Sequence, residues 1–318
     1  MDAFIYSLNS TVPIFLTMIV GWLIKRLGII NDEFANKANK YVFKVALPLL
    51  LYKDLAKQDF YSSFDGKFVL YCALTTFVVF TSVWIATVIF MKDRSMRGAF
   101  IQGSCRSSAA ILGMAFIQNM YQDVGMAPLM IIGAVPLFNI FSVIILDMNA
   151  SDLDMSEGKR ADAIKKTCIN ILKNPIIIGI VLGTLASLIR LDLPLIIDKT
   201  IDNIAVTATP VALICIGAGF EGRKALAKIK PTILASFIKL ILLCAIFLPI
   251  AVFLGFRNQT LMAALIMLGS PTTVTAYIMA KNMKNDEVLS SSIIVMTTFF
   301  SSLTLTGWIF VLRMMGMV

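Results

Sequence analysis

The fold of this protein is decided by the stretch Gln102-Gly-Ser-Cys-Arg-Ser-Ser-Ala-Ala-Ile-Leu-Gly113. It interrupts an otherwise apolar run with glycines, hydroxyl side chains and one fixed positive charge, Arg106. A second stretch of the same kind, Leu268-Gly-Ser-Pro-Thr-Thr-Val-Thr-Ala276, occupies the matching position of an internal repeat. We expect the two stretches to face each other.

The composition indicates a polytopic membrane protein. Apolar residues make up 58% of the chain and charged residues 15%, and the mean hydropathy is +0.85, which is outside the range of soluble enzymes. Residues 3–24 lack a basic start, so we interpret them as a retained membrane helix and not a signal peptide. With five cysteines, no histidine and no metal-ligand spacing, neither a disulfide framework nor a zinc site is expected.

Turn and charge clusters divide the chain into ten pieces of spanning length. The predicted spans are 4–24, 37–57, 67–91, 97–121, 125–147, 172–190, 194–219, 231–255, 259–281 and 288–313. The loops after odd-numbered spans hold 18 of the 28 Lys and Arg residues, and the other side holds 7. The positive-inside rule then places both termini outside, and it explains the net charge of +9 without a nucleic-acid partner.

The two halves of the chain repeat. Pro13 and Gly21 recur at Pro175 and Gly183 with an offset of 162, and the same offset carries Pro48 onto Pro210. Between spans four and nine the offset is 163, which carries Ser107 onto Ser270 and Asn119-Met120 onto Asn282-Met283. We assign residues 1–148 to a first five-helix repeat, 149–171 to a cytoplasmic linker and 172–318 to a second repeat. Because five is odd, the second repeat enters the membrane in the opposite sense, as in many secondary transporters.

Spans four and nine are predicted to be broken, crossing helices. Pro271 removes an amide donor and leaves the carbonyl four residues earlier without its helical partner. Span four contains no proline, and its break would depend on small residues such as Gly113. Three further positions complete this prediction: Gly269 beside Pro271, Pro48 in span two and Pro210 in span seven. The alternative is that small residues only allow close helix packing.

Arg106 is the main candidate for binding a ligand. An unpaired charge near the middle of a span costs at least roughly 2.5–3.5 kcal/mol, and the acidic residues in the spans lie near their ends. A guanidinium also presents a planar fork that suits a carboxylate. The alternatives are pairing with backbone carbonyls, snorkelling to the cytoplasmic side, or an ion pair with an Asp at the end of a span.

Other polar residues within the spans are weaker candidates. Lys44 lies beside the carbonyl that Pro48 leaves free, so a structural contact is as plausible as a ligand contact. Lys239 has no motif around it, and we interpret it as snorkelling. Asn139 matches Ser302 in the repeat and either lines the crossing or joins helices.

Five motifs in order resemble the auxin efflux carrier family, bacterial branch. They are Asn39-Lys-Tyr-Val-Phe-Lys-Val-Ala-Leu-Pro-Leu-Leu50, Arg106-Ser-Ser108 with Gly113, Asn174-Pro175, Pro210-Val-Ala-Leu-Ile-Cys-Ile-Gly217, and Pro271 with Tyr277-Ile-Met-Ala-Lys281. The resemblance implies a fold similar to bile acid:sodium symporters, with a scaffold domain and a transport domain that holds crossed helices four and nine. It also implies transport of organic anions, with malate, malonate or related acids as bacterial substrates.

The family's site residues map onto this chain with two departures. The Asn at the fourth-helix crossing falls on Ser108, and the Pro after the glycine falls on Ala115. The ninth-helix proline is retained as Pro271. The pocket residue before the second-helix proline is Leu47.

We expect a secondary transporter of small mono- or dicarboxylates that works by elevator-type alternating access in the bacterial inner membrane. The expected substrate-binding residues are Arg106, Ser107, Ser108, Leu47, Asn139, Pro271, Thr272 and Thr273. Amides at the two breaks would also bind the carboxylate. No cofactor, metal or enzymatic activity is expected, while coupling to H⁺ or Na⁺ and assembly into a homodimer stay open. The alternatives are a membrane ligand sensor on this fold, a channel, or a sodium-coupled symporter of another organic anion.

Overall fold

The computed structural model of the protein describes residues 13, 16–56, 65–109, 126–150, 169, 173–219 and 227–318. Every regular element within these ranges is a helix, as expected. Numbered in chain order, the α-helices are α1 (16–26), α2 (Asp32–Tyr41), α3 (Leu47–Ala56), α4 (Gly66–Phe90), α5 (Arg94–Cys105), α6 (Ala127–Met148), α7 (Pro175–Leu188), α8 (Leu195–Ala205), α9 (Ala208–Gly219), α10 (Ile229–Phe237), α11 (Leu243–Phe253), α12 (Asn258–Gly269), α13 (Thr275–Asn282) and α14 (Glu287–Met314).

Five helical stretches among the described residues are long and apolar enough to cross a membrane. They are Gly66–Phe90, Ala127–Met148, Leu195–Gly219, Ile229–Phe253 and Glu287–Met314. Their bounds lie within two residues of five predicted spans. The other predicted spans correspond to shorter or interrupted helices, or extend into residues outside the described ranges. The described helices therefore agree with a multi-pass membrane protein.

Short polar side chains start several of these helices. Asn31, Asp65, Asp93, Asn174 and Asp286 each accept a hydrogen bond from a backbone N–H in the first turn that follows. Such caps satisfy amides that the helix itself leaves without a partner. Cap residues therefore set where α2, α4, α5, α7 and α14 begin.

The buried apolar side chains form two large clusters. The first contains residues of α4, α5, α6, α11, α12 and α14, among them Phe68, Met130 and Leu261. The second contains residues of α1, α3, α7, α9 and α13 and of the π-helical turn Val42–Ala46, among them Leu51 and Tyr277, and also a few residues of α6 and α14. The helices therefore pack as two bodies that share α6 and α14, and the interruption between α12 and α13 lies where these bodies meet.

Pro48 lies inside a continuous helical segment, which corrects the prediction that this proline breaks its helix. The segment passes from α2 through a π-helical turn, Val42–Ala46, into α3. A π-turn moves each hydrogen bond one residue further along the chain, and the N–H of Leu47 donates to the carbonyl of Val42. The missing amide of Pro48 is therefore accommodated without interrupting the helix.

Shortly before Pro210 the helix is interrupted. α8 ends at Ala205 and α9 begins at Ala208, so a turn at Val206 and Thr207 separates them. Pro210 cannot donate to the carbonyl four residues earlier, which is the carbonyl of Val206. The turn between α8 and α9 therefore begins at Val206, the residue whose carbonyl lacks the donor that Pro210 cannot supply.

Two close approaches between helices are related by the repeat. A side chain at Gly21 would collide with the backbone of Ile214, and a side chain at Gly183 would collide with the backbone of Tyr52. The 162-residue offset carries Gly21 onto Gly183 and Tyr52 onto Ile214. The same contact is therefore made twice, with the two halves of the chain exchanged.

Candidate functional site

The site begins with the interruption between α12 and α13. α12 ends at Gly269, Ser270 has extended backbone angles (φ −68°, ψ 153°), and α13 starts at Thr275. Pro271 has no N–H, so the carbonyl of Met267 loses its helical donor. The N–H of Thr272 donates instead to Oγ1 of Thr297 at 3.1 Å. The carbonyl of Leu268 therefore also lacks its helical partner.

A second interruption lies at the end of α5. α5 ends at Cys105, and Arg106 has extended backbone angles (φ −80°, ψ 130°). Ser107 and Ser108 are also outside any helix. The predicted break residue Gly113 lies outside the described residues.

Hydrogen bonds join the two interruptions directly. The N–H of Ser108 donates to the carbonyl of Pro271 at 2.9 Å. Oγ1 of Thr272 donates to the carbonyl of Gly103 at 2.6 Å, and Oγ of Ser107 donates to the carbonyl of Met267. The backbone groups released at one break thus find partners at the other, as irregular backbone inside a membrane requires.

These bonds change one expectation about the anion site. Amides at the two breaks were expected to bind the carboxylate, but those of Ser108 and Thr272 already donate within the protein. Side-chain donors are therefore the groups that a carboxylate would meet first.

Arg106 is buried, with 4% of its surface exposed. Its Nη2 donates to Oδ1 of Asn139 at 2.6 Å, and its Nη1 donates to Sδ of Met279 at 2.6 Å. Asn139 is held in turn by a 2.9 Å hydrogen bond from its Nδ2 to the carbonyl of Val135. Both acceptors are neutral, and within the described part of the chain no carboxylate forms a salt bridge with Arg106. The guanidinium is therefore oriented by two neutral acceptors.

A cavity opens beside Arg106, where the two bodies of the protein meet. It holds about 420 Å³ of space, counting the part that is open to solvent. Apolar residues and the guanidinium form most of its wall, with hydroxyl groups between them. The lining residues are Leu47, Leu50, Leu51, Asp54, Arg106, Ser107, Ser108, Ala109, Val135, Phe138, Asn139, Thr273 and Thr275. A small acid fits such a wall, because the apolar part excludes water and a few polar groups orient the ligand.

Six of the eight predicted binding residues line this cavity: Leu47, Arg106, Ser107, Ser108, Asn139 and Thr273. Pro271 and Thr272 do not line it and instead hold the two interruptions together. Gly269 contacts Cys244, whose Sγ would lie 2.8 Å from a side-chain carbon at that position. Pro48 and Pro210 lie away from the cavity lining and shape their own helices.

Some cavity and crossing residues escaped sequence reasoning. Asp54 and Thr275 line the cavity, and Met279 contacts Arg106. Met279 carries no distinguishing pattern, since a methionine in an apolar helix is usually a packing residue. Asp54 was noted only as an acid near the end of a span.

Lys239 was interpreted as snorkelling, and the structure corrects this. None of its surface is exposed, and its Nζ donates to Oγ of Ser107 at 2.5 Å and to the carbonyl of Leu268. A signal existed in the sequence, because the carbonyls released around Pro271 need donors.

Comparison with known proteins gives a family and two distant relatives. The model of a family described as membrane transport protein matches residues 6–309. A protein of Rhizobium meliloti (strain 1021), named "Putative malonate transporter", is 23% identical over 305 residues, covering 95% of this chain and 94% of that protein. A protein of Methanothermobacter thermautotrophicus (strain Delta H), named "Uncharacterized transporter", is 22% identical over 313 residues, covering 97% and 99%.

Proposed function

The chain belongs to the membrane transport protein family, to which the auxin efflux carriers that its motifs resemble also belong, and on that premise we propose that it is a secondary transporter of small organic anions. The family is one of transporters and not of enzymes. The proposed substrates are mono- or dicarboxylates such as malonate or malate. The name of the Rhizobium meliloti relative supports malonate as the first acid to test.

One observation carries the proposal: Arg106 presents a buried guanidinium to the cavity while its hydrogen bonds go to neutral acceptors. A buried charge without a counter-charge is costly in a membrane. A carboxylate in the cavity would supply that counter-charge and accept a charge-assisted hydrogen bond. Substrate binding would then lower the free energy of the site.

Hydroxyl groups around the cavity would orient the acid. Ser108 and Thr273 line it together with Arg106, and a hydroxyl donates one hydrogen bond to a carboxylate oxygen. Ser107 also lines it, but its hydroxyl already donates to the carbonyl of Met267. The apolar residues Leu47 and Phe138 of the wall would exclude water from the bound acid. A second carboxylate, as in malonate or malate, would be held by the hydroxyls or by solvent.

The packing of the helices supports an elevator-type mechanism. The cavity lies between the two buried clusters, with Leu47 and Leu51 on one side and Val135 and Phe138 on the other. In this proposal the body around the first cluster carries Arg106 and the substrate past the body around the second. The anion would then face each side of the membrane in turn, as alternating access requires.

The ten-helix, inverted-repeat architecture is part of the same proposal. It is supported by the exchanged pair of glycine contacts, in which Gly21 approaches Ile214 as Gly183 approaches Tyr52. The proposed arrangement has repeats at 1–148 and 172–318, a cytoplasmic linker at 149–171 and both termini outside the bacterial inner membrane.

The test is counterflow of radiolabelled malonate or malate in proteoliposomes. Wild-type uptake should saturate with substrate, and Arg106→Ala should abolish the saturable part. The matched control is Arg313→Ala, which removes an exposed arginine from the end of α14. Both variants should elute and melt as folded protein.

Three outcomes would oppose the proposal. Unchanged saturable uptake in Arg106→Ala would exclude the charge role of Arg106. Binding without flux would favour a membrane sensor, and flux that does not saturate would favour a channel.

A further inference from the structure

Lys239 is a buried charge that substrate binding at Arg106 does not use. It lies in the π-helical turn Ile238–Leu242, between α10 and α11, in one of the most apolar helical stretches of the described chain. None of its surface is exposed. π-turns inside helices often occur at functional sites. A lysine that is kept in such a place must find strong acceptors.

The acceptors of Lys239 are one hydroxyl and one backbone carbonyl at the crossing. Its Nζ donates to Oγ of Ser107 at 2.5 Å and to the carbonyl of Leu268. The hydroxyl of Ser107 donates a hydrogen bond to the carbonyl of Met267. The lysine, the serine and the two carbonyls thus form one continuous network across the two interruptions.

The proline explains why these two carbonyls need donors. Pro271 has no N–H for the carbonyl of Met267, and the N–H of Thr272 is turned to Oγ1 of Thr297, away from the carbonyl of Leu268. Both carbonyls lie in the last turn of α12. The C-terminal end of a helix carries partial negative charge and favours a cation.

Backbone carbonyls at such helix ends coordinate Na⁺ in sodium-coupled transporters. Here, the same kind of carbonyl binds an ammonium group that belongs to the chain. Within the described residues no cluster of three or more His, Cys, Asp or Glu side chains could hold a metal ion. Lys239 already takes one hydroxyl and one carbonyl oxygen of the kind that binds Na⁺.

We propose that the ammonium of Lys239 is a built-in cation that occupies the position of a coupling Na⁺ at the crossing. It stabilises the carbonyl of Leu268 and orients the hydroxyl of Ser107, which lines the substrate cavity. Lys239 is a positioning residue, since it reaches the cavity through Ser107. The protein therefore transports its anion without Na⁺, and loss of the ammonium creates a Na⁺ requirement.

A space beside Leu268 is lined by further oxygen atoms. It measures about 210 Å³, counting the part that is open to solvent, and it adjoins Leu268 and Met267 with Thr75 and Thr76 in its lining. Oγ1 of Thr76 is buried and has no hydrogen-bond partner among the described atoms. If the ammonium is removed, hydroxyl and carbonyl oxygens remain to bind Na⁺ with water.

The experiment compares two substitutions of Lys239 in NaCl and in choline chloride. Lys239→Met keeps much of the side-chain volume but has neither charge nor oxygen, whereas Lys239→Gln adds an amide oxygen that can bind Na⁺. Melting temperature and malonate counterflow are both measured. Lys230→Met, in the same long helix but exposed, is the matched control.

The wild type and Lys230→Met should give the same melting temperature and uptake in both salts. Lys239→Met should melt at lower temperature and lose uptake in both salts. Lys239→Gln should be impaired in choline chloride, and Na⁺ should raise its melting temperature and restore uptake in a saturable manner. A simple packing role for Lys239 would not produce this Na⁺ response.

Three results would overturn the proposal: wild-type uptake that requires Na⁺, a Lys239→Met variant that behaves as the wild type, or a Lys239→Gln variant that ignores Na⁺. The inference deepens the proposed transport function and rests on it for the uptake measurements. The melting measurements do not depend on transport. If Arg106→Ala keeps full uptake while Lys239→Gln still responds to Na⁺, the proposal of an anion site at Arg106 is wrong and the proposal that Lys239 is a built-in cation is supported.

Discussion

The N–H of Ser108 donates to the carbonyl of Pro271 at 2.9 Å, so the two interrupted segments are joined backbone to backbone. The 163-residue offset that carries Ser107 onto Ser270 also carries Ser108 onto Pro271. Each residue therefore contacts its own counterpart in the other half. Two inverted repeats are related by a pseudo-two-fold axis, and only residues close to that axis contact their own counterparts. The contact therefore supports an axis that passes through the crossing, next to Arg106.

The Ser108–Pro271 bond can be tested by removing its donor, the N–H of Ser108. Ser108→Pro deletes the N–H and leaves the carbonyl of Pro271 buried without this donor, which should cost about 1–3 kcal/mol. Ser108→Ala retains the N–H and is the control. Thermal melting in detergent should show a clearly lower transition for Ser108→Pro than for Ser108→Ala. Equal transitions would mean that this bond does not hold the crossing together.

Asn139 orients Arg106 as a neutral acceptor, and charging it should weaken anion binding. Asn139→Asp would place a carboxylate 2.6 Å from Nη2 if the present geometry is kept, and this internal ion pair would compete with the substrate. We expect the dissociation constant for malonate to rise about tenfold or more, since about 1.4 kcal/mol corresponds to each factor of ten. Isothermal titration measures this directly.

The control for Asn139→Asp is Ser142→Ala, which lies one turn further along α6. Ser142 is buried and its hydroxyl donates to the carbonyl of Phe138 in its own helix. Its removal should leave malonate affinity unchanged. If Asn139→Asp binds malonate with the same dissociation constant as the wild type, Arg106 does not pair with the anion.

The two repeat-related glycine contacts should respond alike to substitution. Gly21→Val and Gly183→Val each force a side chain into a neighbouring backbone, at Ile214 and Tyr52. Overpacking typically costs about 1–3 kcal/mol, and backbone cannot yield as a flexible side chain can. Both variants should melt at lower temperature by comparable amounts.

Gly307→Val is the matched control for these substitutions. Nothing lies within 4 Å of a side-chain carbon at Gly307, so its melting temperature should stay close to that of the wild type. A large effect at Gly21 with none at Gly183 would contradict the exchanged contact.

The proposed orientation can be tested by cysteine labelling in intact cells. Lys92→Cys lies in the loop after α4 and Asp192→Cys in the loop after α7, and both positions are exposed. With both termini outside, a membrane-impermeant maleimide should label Asp192→Cys from outside and should label Lys92→Cys only after the cells are opened.

The native cysteines allow a clean background for this labelling. The four described cysteines, Cys72, Cys105, Cys215 and Cys244, are all buried. Cys168 lies outside the described residues and is replaced with Ser first. Labelling of Lys92→Cys in intact cells would contradict the proposed orientation and would place this loop outside.

Sequence alone determined the features that depend on local chemistry. Apolar runs about 20 residues long identify membrane helices because unpaired backbone groups cannot face lipid. Pro271 placed an interruption because its ring nitrogen carries no hydrogen. The matching residues at an offset of 163 between spans four and nine predicted that the two unusual stretches meet. Arg106 was identified as a candidate because an isolated charge in an apolar run needs a partner.

Tertiary structure decided which groups satisfy one another. Met279 lies 173 positions from Arg106 along the chain, and this pairing leaves no mark in local sequence. Pro271 indicated that nearby carbonyls need donors, but only the structure identified Lys239, 29 positions from Leu268, as the donor. Pro48 has the same local chemistry as Pro210, yet a π-turn accommodates one and a two-residue turn accommodates the other. The physical reason is that proline only removes a donor, whereas the surrounding packing decides where the released carbonyl finds its next partner.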